Sequence, residues 1–166
     1  MLSPTEPDPS AFRRVAGRFA TGVCVLSTVN RGVDHAMTAN AFTSVSMDPM
    51  LVLACVEIEA RFHDAVLESG QWAVSVLDES ARPVSDWLAS RGRPLHGQLD
   101  QIPFHRGRLT GAALIDASIG WLECRTTAVY PGGDHSIVVA EVTAVEFGPD
   151  AGDPLIYFRS GYHKLS

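Results

Sequence analysis

The 166-residue sequence predicts a single, mainly β domain: an antiparallel barrel-like sheet with a few peripheral helices. Three observations point there. β-Branched and apolar runs recur with short Gly-, Asn- and Pro-containing breaks between them. Helical periodicities are too few to cover every crossover of a parallel sheet. No G-x-G-x-x-G occurs, which removes the glycine-rich turn of a doubly wound dinucleotide fold. A chain of this length buries a sizeable core but is too short for two full-size lobes.

Residues 11–21 place Phe12, Val15, Ala16, Phe19 and Ala20 at three- and four-residue steps beside Arg13, Arg14 and Arg18. This predicts an amphipathic helix, opened by Pro9-Ser10 and ended by Gly22. Residues 1–10 read as a flexible N-terminal tail and 11–166 as the domain. The β-branched run 23–29, the turn Asn30-Arg31-Gly32 and the extended segment 33–47, bent near Asn40, predict a hairpin and its continuation. Asp48-Pro49 disfavours helix before the proline. Residues 51–57 then form an apolar strand, 63–68 a short helix closed by Gly70, and 72–77 another strand. Val84, Trp87 and Leu88 at helical spacing make 80–88 the next helix. Residues 91–108 lose periodicity among Gly, Pro and His, a long surface excursion of a kind that is often functional. Strands at 119–130, 136–147 and 155–158, with a turn at Pro131-Gly132-Gly133-Asp134, bring the total to about seven strands.

Hydrophobic residues make up 46% and charged residues 19%, so burial can offset folding entropy and order is expected beyond the ends. The net charge of −6 and only thirteen scattered Lys and Arg argue against a nucleic-acid partner, because affinity for phosphate backbones needs clustered cations. No apolar stretch approaches the roughly 20 residues of a bilayer-spanning helix, and residues 1–10 are polar and proline-rich rather than signal-like. No membrane partner is expected, and the cytoplasm is the expected location. Cys24, Cys55 and Cys124 lie in apolar runs with no C-x-x-C pair, and are expected to be small buried hydrophobes rather than metal ligands. His35, His63, His96, His105 and His163 share no metal spacing and are assigned no role. The absence of G-x-x-x-x-G-K-[ST], H-E-x-x-H and G-x-S-x-G removes the commonest phosphate, zinc and serine-hydrolase readings.

The most informative segment is Met37-Thr38-Ala39-Asn40-Ala41-Phe42-Thr43-Ser44-Val45-Ser46, where short hydroxyl and amide side chains interrupt the alternation of a half-buried strand. Such residues, with small alanines between them, let a ligand approach the backbone and receive several neutral hydrogen bonds. A solvated edge strand is the plainer reading of the same residues. Arg61 is the only cation in loop 59–62, and suits a bidentate grip on phosphate or a place on the solvated surface. His135 follows a Gly-Gly-Asp turn, whose tight backbone can aim its ring at a pocket mouth; a solvent-exposed histidine is the alternative.

Those residues, together with F-A-T-G-V at 19–23, D-P at 48–49, W-L-E-C at 121–124, G-D-H at 133–135 and P-L-I-Y-F-R-S-G-Y at 154–162, resemble the short-chain flavin reductases of two-component flavin-dependent monooxygenases. The pieces keep the family's order over nearly the whole chain, and T-A-N-A-F-T-S-V-S and G-D-H are specific in combination. The resemblance implies the FMN-binding split β-barrel, antiparallel and Greek-key-like. It further implies a homodimer with FMN or FAD in a groove near the dimer interface, hydride transfer from NADH or NADPH, and a separate flavin-dependent monooxygenase that receives the reduced flavin.

Carried over by position, Thr38, Asn40, Ala41, Thr43 and Ser44 would contact flavin, and Ala60, Arg61 and Phe62 would reach its phosphate end. His135 would be the catalytic residue, near flavin and nicotinamide, and Tyr162 would close the same pocket. The chain departs from the family at Phe62, where Thr is frequent, and at Ala36-Met37, where Gly-Met is frequent. An aromatic at position 62 offers a stacking surface for adenine if FAD is used. Two other readings stand beside this one: a flavin-binding or carrier protein without reductase activity, and, by fold-level analogy alone, a split-barrel oxidase of the pyridoxamine-phosphate type.

Overall fold

The computed structural model describes residues 6–148 and 152–165. From the N-terminus the elements are α1 (Pro9–Ala16), β1 (Thr21–Gly22), β2 (Cys24–Asn30), β3 (Val33–Ala39), β4 (Phe42–Met47), β5 (Met50–Glu57), α2 (Arg61–Ser69) and β6 (Gln71–Leu77). A 3-10 turn (Glu79–Ala81) leads into α3 (Arg82–Ala89). Then come β7 (Phe104–Arg106), β8 (Ala113–Ile115), β9 (Ser118–Gly132), β10 (His135–Phe147), β11 (Ile156–Phe158) and β12 (Gly161–His163).

Seven strands form one sheet in the order β3-β2-β6-β9-β10-β5-β4, every neighbouring pair antiparallel. The expected mainly β, antiparallel architecture is therefore observed. β3 and β4 stand at opposite edges of that order, yet only Asn40 and Ala41 separate them in the chain. Three Cα steps span at most about 11 Å, whereas the outer strands of a flat seven-stranded sheet lie about 29 Å apart. The sheet must therefore roll until its edges meet. Among the described residues no ladder joins β3 to β4, so the barrel is split along that seam rather than closed.

Strand alternation decides what fills it. Cys24 and Leu26 of β2 belong to a core cluster with Val52, Val56, Trp72, Val138 and the α2 residues Phe62 and Val66, so α2 plugs the rolled sheet. Val23 and Val25 point the other way, into a second cluster with Leu77, Leu88, Ile115 and Leu155. Both faces of β2 are covered, which is why the run 23–29 is apolar without alternation. Burial pushes the Cys24 and Cys124 thiols up to about 12, leaving them protonated hydrophobes, while Cys55 is half-buried.

Several boundaries differ from the sequence expectation. Helix α1 begins at Pro9, inside the expected tail, because the Asp8 carboxylate accepts from the N–H groups of Ser10 and Ala11. Residues 1–5 of that tail lie outside the described residues. The helix ends at Gly17, whose N–H bonds Arg13 O, and not at Gly22; Phe19 and Ala20 continue the apolar spacing beyond the helix. The expected excursion 91–108 includes the strand β7, which pairs with β8 to make a ribbon that the sequence reading lacked. Ser27 and Ser75, buried in the sheet, hold that ribbon: Ser27 Oγ donates to Ala113 O at 2.6 Å, and Ile115 N–H donates to Ser75 Oγ at 2.9 Å.

Glu123 of β9, only 5% exposed, secures the loop between β7 and β8. Its carboxylate accepts from the N–H groups of Arg108, Leu109 and Thr110 at 3.0, 3.0 and 2.7 Å and from Thr110 Oγ1 at 2.7 Å. Burial raises its pKa, but those four bonds outweigh burial and hold the group below its ordinary value. A side chain at Gly107 would meet Glu123 Oε2 at 2.5 Å, so glycine is required for the close approach.

Candidate functional site

The free edge of β3 is served by side chains instead of a strand. Thr38 Oγ1 donates to Ser85 O of α3 at 2.7 Å, Arg93 donates to Ala36 O, and Gln98 Nε2 donates to Asp34 O at 2.9 Å. These alternate positions, 34, 36 and 38, lie along one side of β3. The segment after α3 thus runs beside the strand and encloses a cavity of about 550 Å³ between β3, the end of β5 and the start of α2. A smaller lobe of about 190 Å³ continues it towards Asn40, Tyr157 and Tyr162, the two sharing Thr38 and Ala89 as common wall. The result is an elongated groove with two chemically different ends.

The large end gathers three arginines, with Glu57 and Glu59 also in its wall. Helix α2 starts at Arg61 with Ala60 as N-cap, and no side chain caps its first N–H groups. The His63 N–H is taken by Ala60 O at 2.9 Å, but the N–H groups ahead of it and the positive end of the helix dipole favour an anion there. Arg61, Arg91 and Arg93 line the same cavity. Arg61 Nη2 donates to Arg93 O at 2.7 Å, which ties the helix start to the excursion. Arg91 is bonded to both carboxylate oxygens of Glu57 at 2.9 Å, across the mouth from β5. Burial, with Arg61 nearby, holds His35 below its ordinary pKa.

The small end is aromatic. Tyr162 Oη shares a 2.7 Å hydrogen bond with Ser85 Oγ, and its ring meets Tyr157 edge-on at 5.5 Å between centroids. Ser85 is fully buried and also receives the Thr38 hydroxyl on its carbonyl, so one α3 residue positions Thr38 and Tyr162 together.

The structure thus brings together Thr38, Asn40, Ala60, Arg61, Phe62 and Tyr162 along one groove. Phe62 is not the adenine-stacking platform that its ring suggested: it is 3% exposed and packs in the core against the sheet interior. Ala41, Thr43 and Ser44 lie outside the groove walls, exposed at the link and on edge strand β4. His135 also lies outside them. It opens β10 directly opposite Glu57 of β5, half-exposed, with Nδ1 2.7 Å from Asp134 Oδ1. Arg61 is not the only cation at the large end of the groove. Arg91 and Arg93 arrive from a segment whose lost periodicity hid its contacts, the R-G-R at 91–93 being their only sequence signal.

The sequence has relatives that bear on this groove. Residues 16–166 match the family described as flavin reductase like domain. The chain belongs to that family. Among its relatives is the reductase component of 4-hydroxyphenylacetate 3-monooxygenase from Thermus thermophilus, 40% identical over 93% of this chain and 95% of that protein. The NADH-dependent flavin reductase of Rhodococcus sp is 33% identical over 96% of this chain and 88% of its own length. Solved structures agree. BorF, the flavin reductase component of a bacterial two-component tryptophan halogenase, superposes with a TM-score of 0.89 at 40% identity, covering 95% of this chain and 98% of its own. SgcE6, the NADH:FAD oxidoreductase of Streptomyces globisporus C-1027 solved with NAD and FAD fragments, gives 0.92 at 32% identity, covering 99% and 98%. In this flavin reductase-like chain the split barrel therefore presents, along β3, a groove whose arginine-lined and aromatic ends suit a ligand with a phosphate at one end and a flat ring at the other.

Proposed function

We propose that the protein is a flavin reductase that oxidises NADH, reduces FMN or FAD held along β3, and supplies the reduced flavin to a separate flavin-dependent monooxygenase. What carries the reading is the groove itself in a chain of this family: an uncapped helix start with three arginines at one end, and Thr38, Asn40 and Tyr162 at the other. Bound flavin supplies the hydride acceptor, and the protein contributes binding, orientation and exclusion of water. Arg61 and the first N–H groups of α2 hold the phosphate. Thr38 and Asn40 offer neutral hydrogen bonds to the ring edge and ribityl chain, and Tyr162, fixed by Ser85, closes the aromatic end. NADH oxidation by the purified protein is expected only when FMN, FAD or riboflavin is added. Oxidation without flavin overturns the reading, and flavin binding with no NADH oxidation makes the protein a carrier.

His135 is assigned to orienting the nicotinamide, from its place beside Glu57 at the groove's rim. His135→Ala should lower kcat/KM for NADH roughly tenfold, the worth of one lost hydrogen bond plus some misplacement, with flavin Kd unchanged. Equal losses in flavin affinity would remove that role.

The functional unit is assigned as a cytoplasmic homodimer. Phe12, Val15 and Phe19 on and after α1 are 70%, 70% and 79% exposed, and α1 buries no residue. Met47, at the end of β4, is 83% exposed on the same strand as Thr43 and Ser44. Apolar area of this extent calls for a partner surface. Light scattering at micromolar concentration should give twice the 17.9 kDa chain mass; a monomer refutes the assignment.

A further inference from the structure

Two buried polar residues outside the groove meet between α2 and the sheet. Strand β10 turns Ser136 inwards on the same face as the core residues Val138 and Ala140, so a hydroxyl stands where an apolar side chain would pack as well. Its partner is His63 of α2. Ser136 is 9% and His63 8% exposed, and Ser136 Oγ lies 2.9 Å from His63 Nε2. On the other side of the ring, Nδ1 lies 2.9 Å from Asp64 Oδ1. A carboxylate accepts, which puts a proton on Nδ1; in the neutral ring Nε2 is then the acceptor and the Ser136 hydroxyl the donor. Ser136, His63 and Asp64 have the composition of a hydrolytic triad, but Ser136 faces the core and lines neither lobe of the groove, so its hydroxyl holds rather than attacks.

We propose that the His63–Ser136 pair is a positioning device that holds His135 in place for the reductase reaction. The inference rests on the flavin-reductase reading and on the role given there to His135. Successive residues of a strand point to opposite faces, so anchoring the inward Ser136 fixes the outward aim of His135. The strand needs an anchor at this point. His135 stands opposite Gly132 and follows the turn at Gly133, which has positive φ, and Ser136 stands opposite Pro131, which brings no N–H to the ladder. Other ties at this end of the hairpin are the Ile58 N–H donated to Asp134 O at 3.0 Å and the exposed Asp134 carboxylate beside His135 Nδ1. His63 adds a link from the helix. It lies two residues from Arg61, and α2 is itself fixed in the core by Phe62 and Val66. The helix start that bears Arg61 and the strand that bears His135 are thereby held at one spacing.

The test compares wild type with Ser136→Ala, Ser136→Thr, His135→Ala and the double variant Ser136→Ala/His135→Ala, each checked for folding by circular dichroism and thermal melting. With FMN as acceptor, kcat/KM for NADH should fall about three- to tenfold in Ser136→Ala, the scale of one lost hydrogen bond, with FMN Kd within about twofold of wild type. Ser136→Thr keeps the hydroxyl and should recover most of the loss. Placed on His135→Ala, the same Ser136→Ala change should cost less than about twofold, because the group it positions is already gone. His63→Ala breaks the bond from the other side and should reproduce the loss, while His63→Gln, whose amide reaches the place of Nε2, should recover part of it. The His135 ring resonance, identified by its disappearance in His135→Ala, gives a readout without flavin or NADH. It should shift in Ser136→Ala and return in Ser136→Thr. An unmoved resonance, an undiminished kcat/KM, an equal loss of FMN affinity, or a full second loss in the His135→Ala background overturns the proposal. Failure of the flavin-reductase reading would show separately, as a wild type that oxidises no NADH with any flavin while the His135 resonance still answers to Ser136.

Discussion

Glu123→Ala should lower the stability of the folded chain by about 3 to 5 kcal/mol, at the upper end for a single substitution. The substitution strips the N–H groups of Arg108, Leu109 and Thr110 and the Thr110 hydroxyl of their acceptor at once. Each unsatisfied buried donor costs on the order of 1 to 3 kcal/mol, reduced where water can enter, and Arg108 and Leu109 are themselves exposed. The full sum is therefore not reached. For a domain of this size the loss corresponds to a fall in Tm of about 6 to 20 °C. pH gives a second reading of the same interaction. The carboxyl of Glu123 titrates below its ordinary 4.5 in the folded chain, so its contribution is complete above that pH and is lost as pH falls through the folded value. The Tm gap between wild type and Glu123→Gln should therefore be widest near neutrality and narrow in acid. A gap that does not change with pH, or an alanine variant within 2 °C of wild type, would show that loop 107–110 is held by something else.

Glu123 illustrates where the sequence was readable and where it was not. W-L-E-C was visible as a family segment, but nothing in it says that the acid faces a loop more than ten residues upstream. The main strands were legible because their apolar runs are bounded by real turns: Arg31 and Gly32, both at positive φ, join β2 to β3, and Gly133, also at positive φ, joins β9 to β10. The rolling of the sheet was latent in the short Asn40-Ala41 link, but became visible only with the strand order, since a link length constrains nothing until its strands are known to be at opposite edges. The ribbon β7–β8 escaped because strands of three residues carry too little pattern, and because the serines that dock it sit inside segments read only as strands. The apolar spacing of α1 is genuine, but it faces solvent in the single chain rather than the core, so periodicity predicted an apolar stripe and not its partner.

The site was legible in the same uneven way. Thr38, Asn40 and Tyr162 converge because α3 ties β3 to β12 through Ser85, a residue with no signal of its own in the sequence. Arg61 stood out as the lone cation of its loop, whereas Arg91 and Arg93 join it only through tertiary contact.

Arg61→Ala should weaken FMN binding by about 10- to 100-fold while leaving riboflavin affinity within about twofold. A charge-assisted hydrogen bond is worth about 1.5 to 3 kcal/mol, and each 1.4 kcal/mol is a factor of ten in Kd. Riboflavin lacks the phosphate, so the ratio of the two affinities isolates the phosphate interaction from any loosening of the excursion that follows loss of the bond to Arg93 O. Arg61→Lys should recover part of the loss, because an ammonium keeps the charge but not the two-pronged fork that matches phosphate oxygens. The effect should also shrink as salt rises, since Arg61 is exposed and its field is screened over about 8 Å at physiological ionic strength. Fluorescence quenching of each flavin, at two salt concentrations, measures all of this. If FMN and riboflavin weaken by the same factor, Arg61 acts by holding the excursion in place and the phosphate grip belongs to the N–H groups of α2 with Arg91 and Arg93. If neither weakens, the phosphate end of the groove has been placed wrongly.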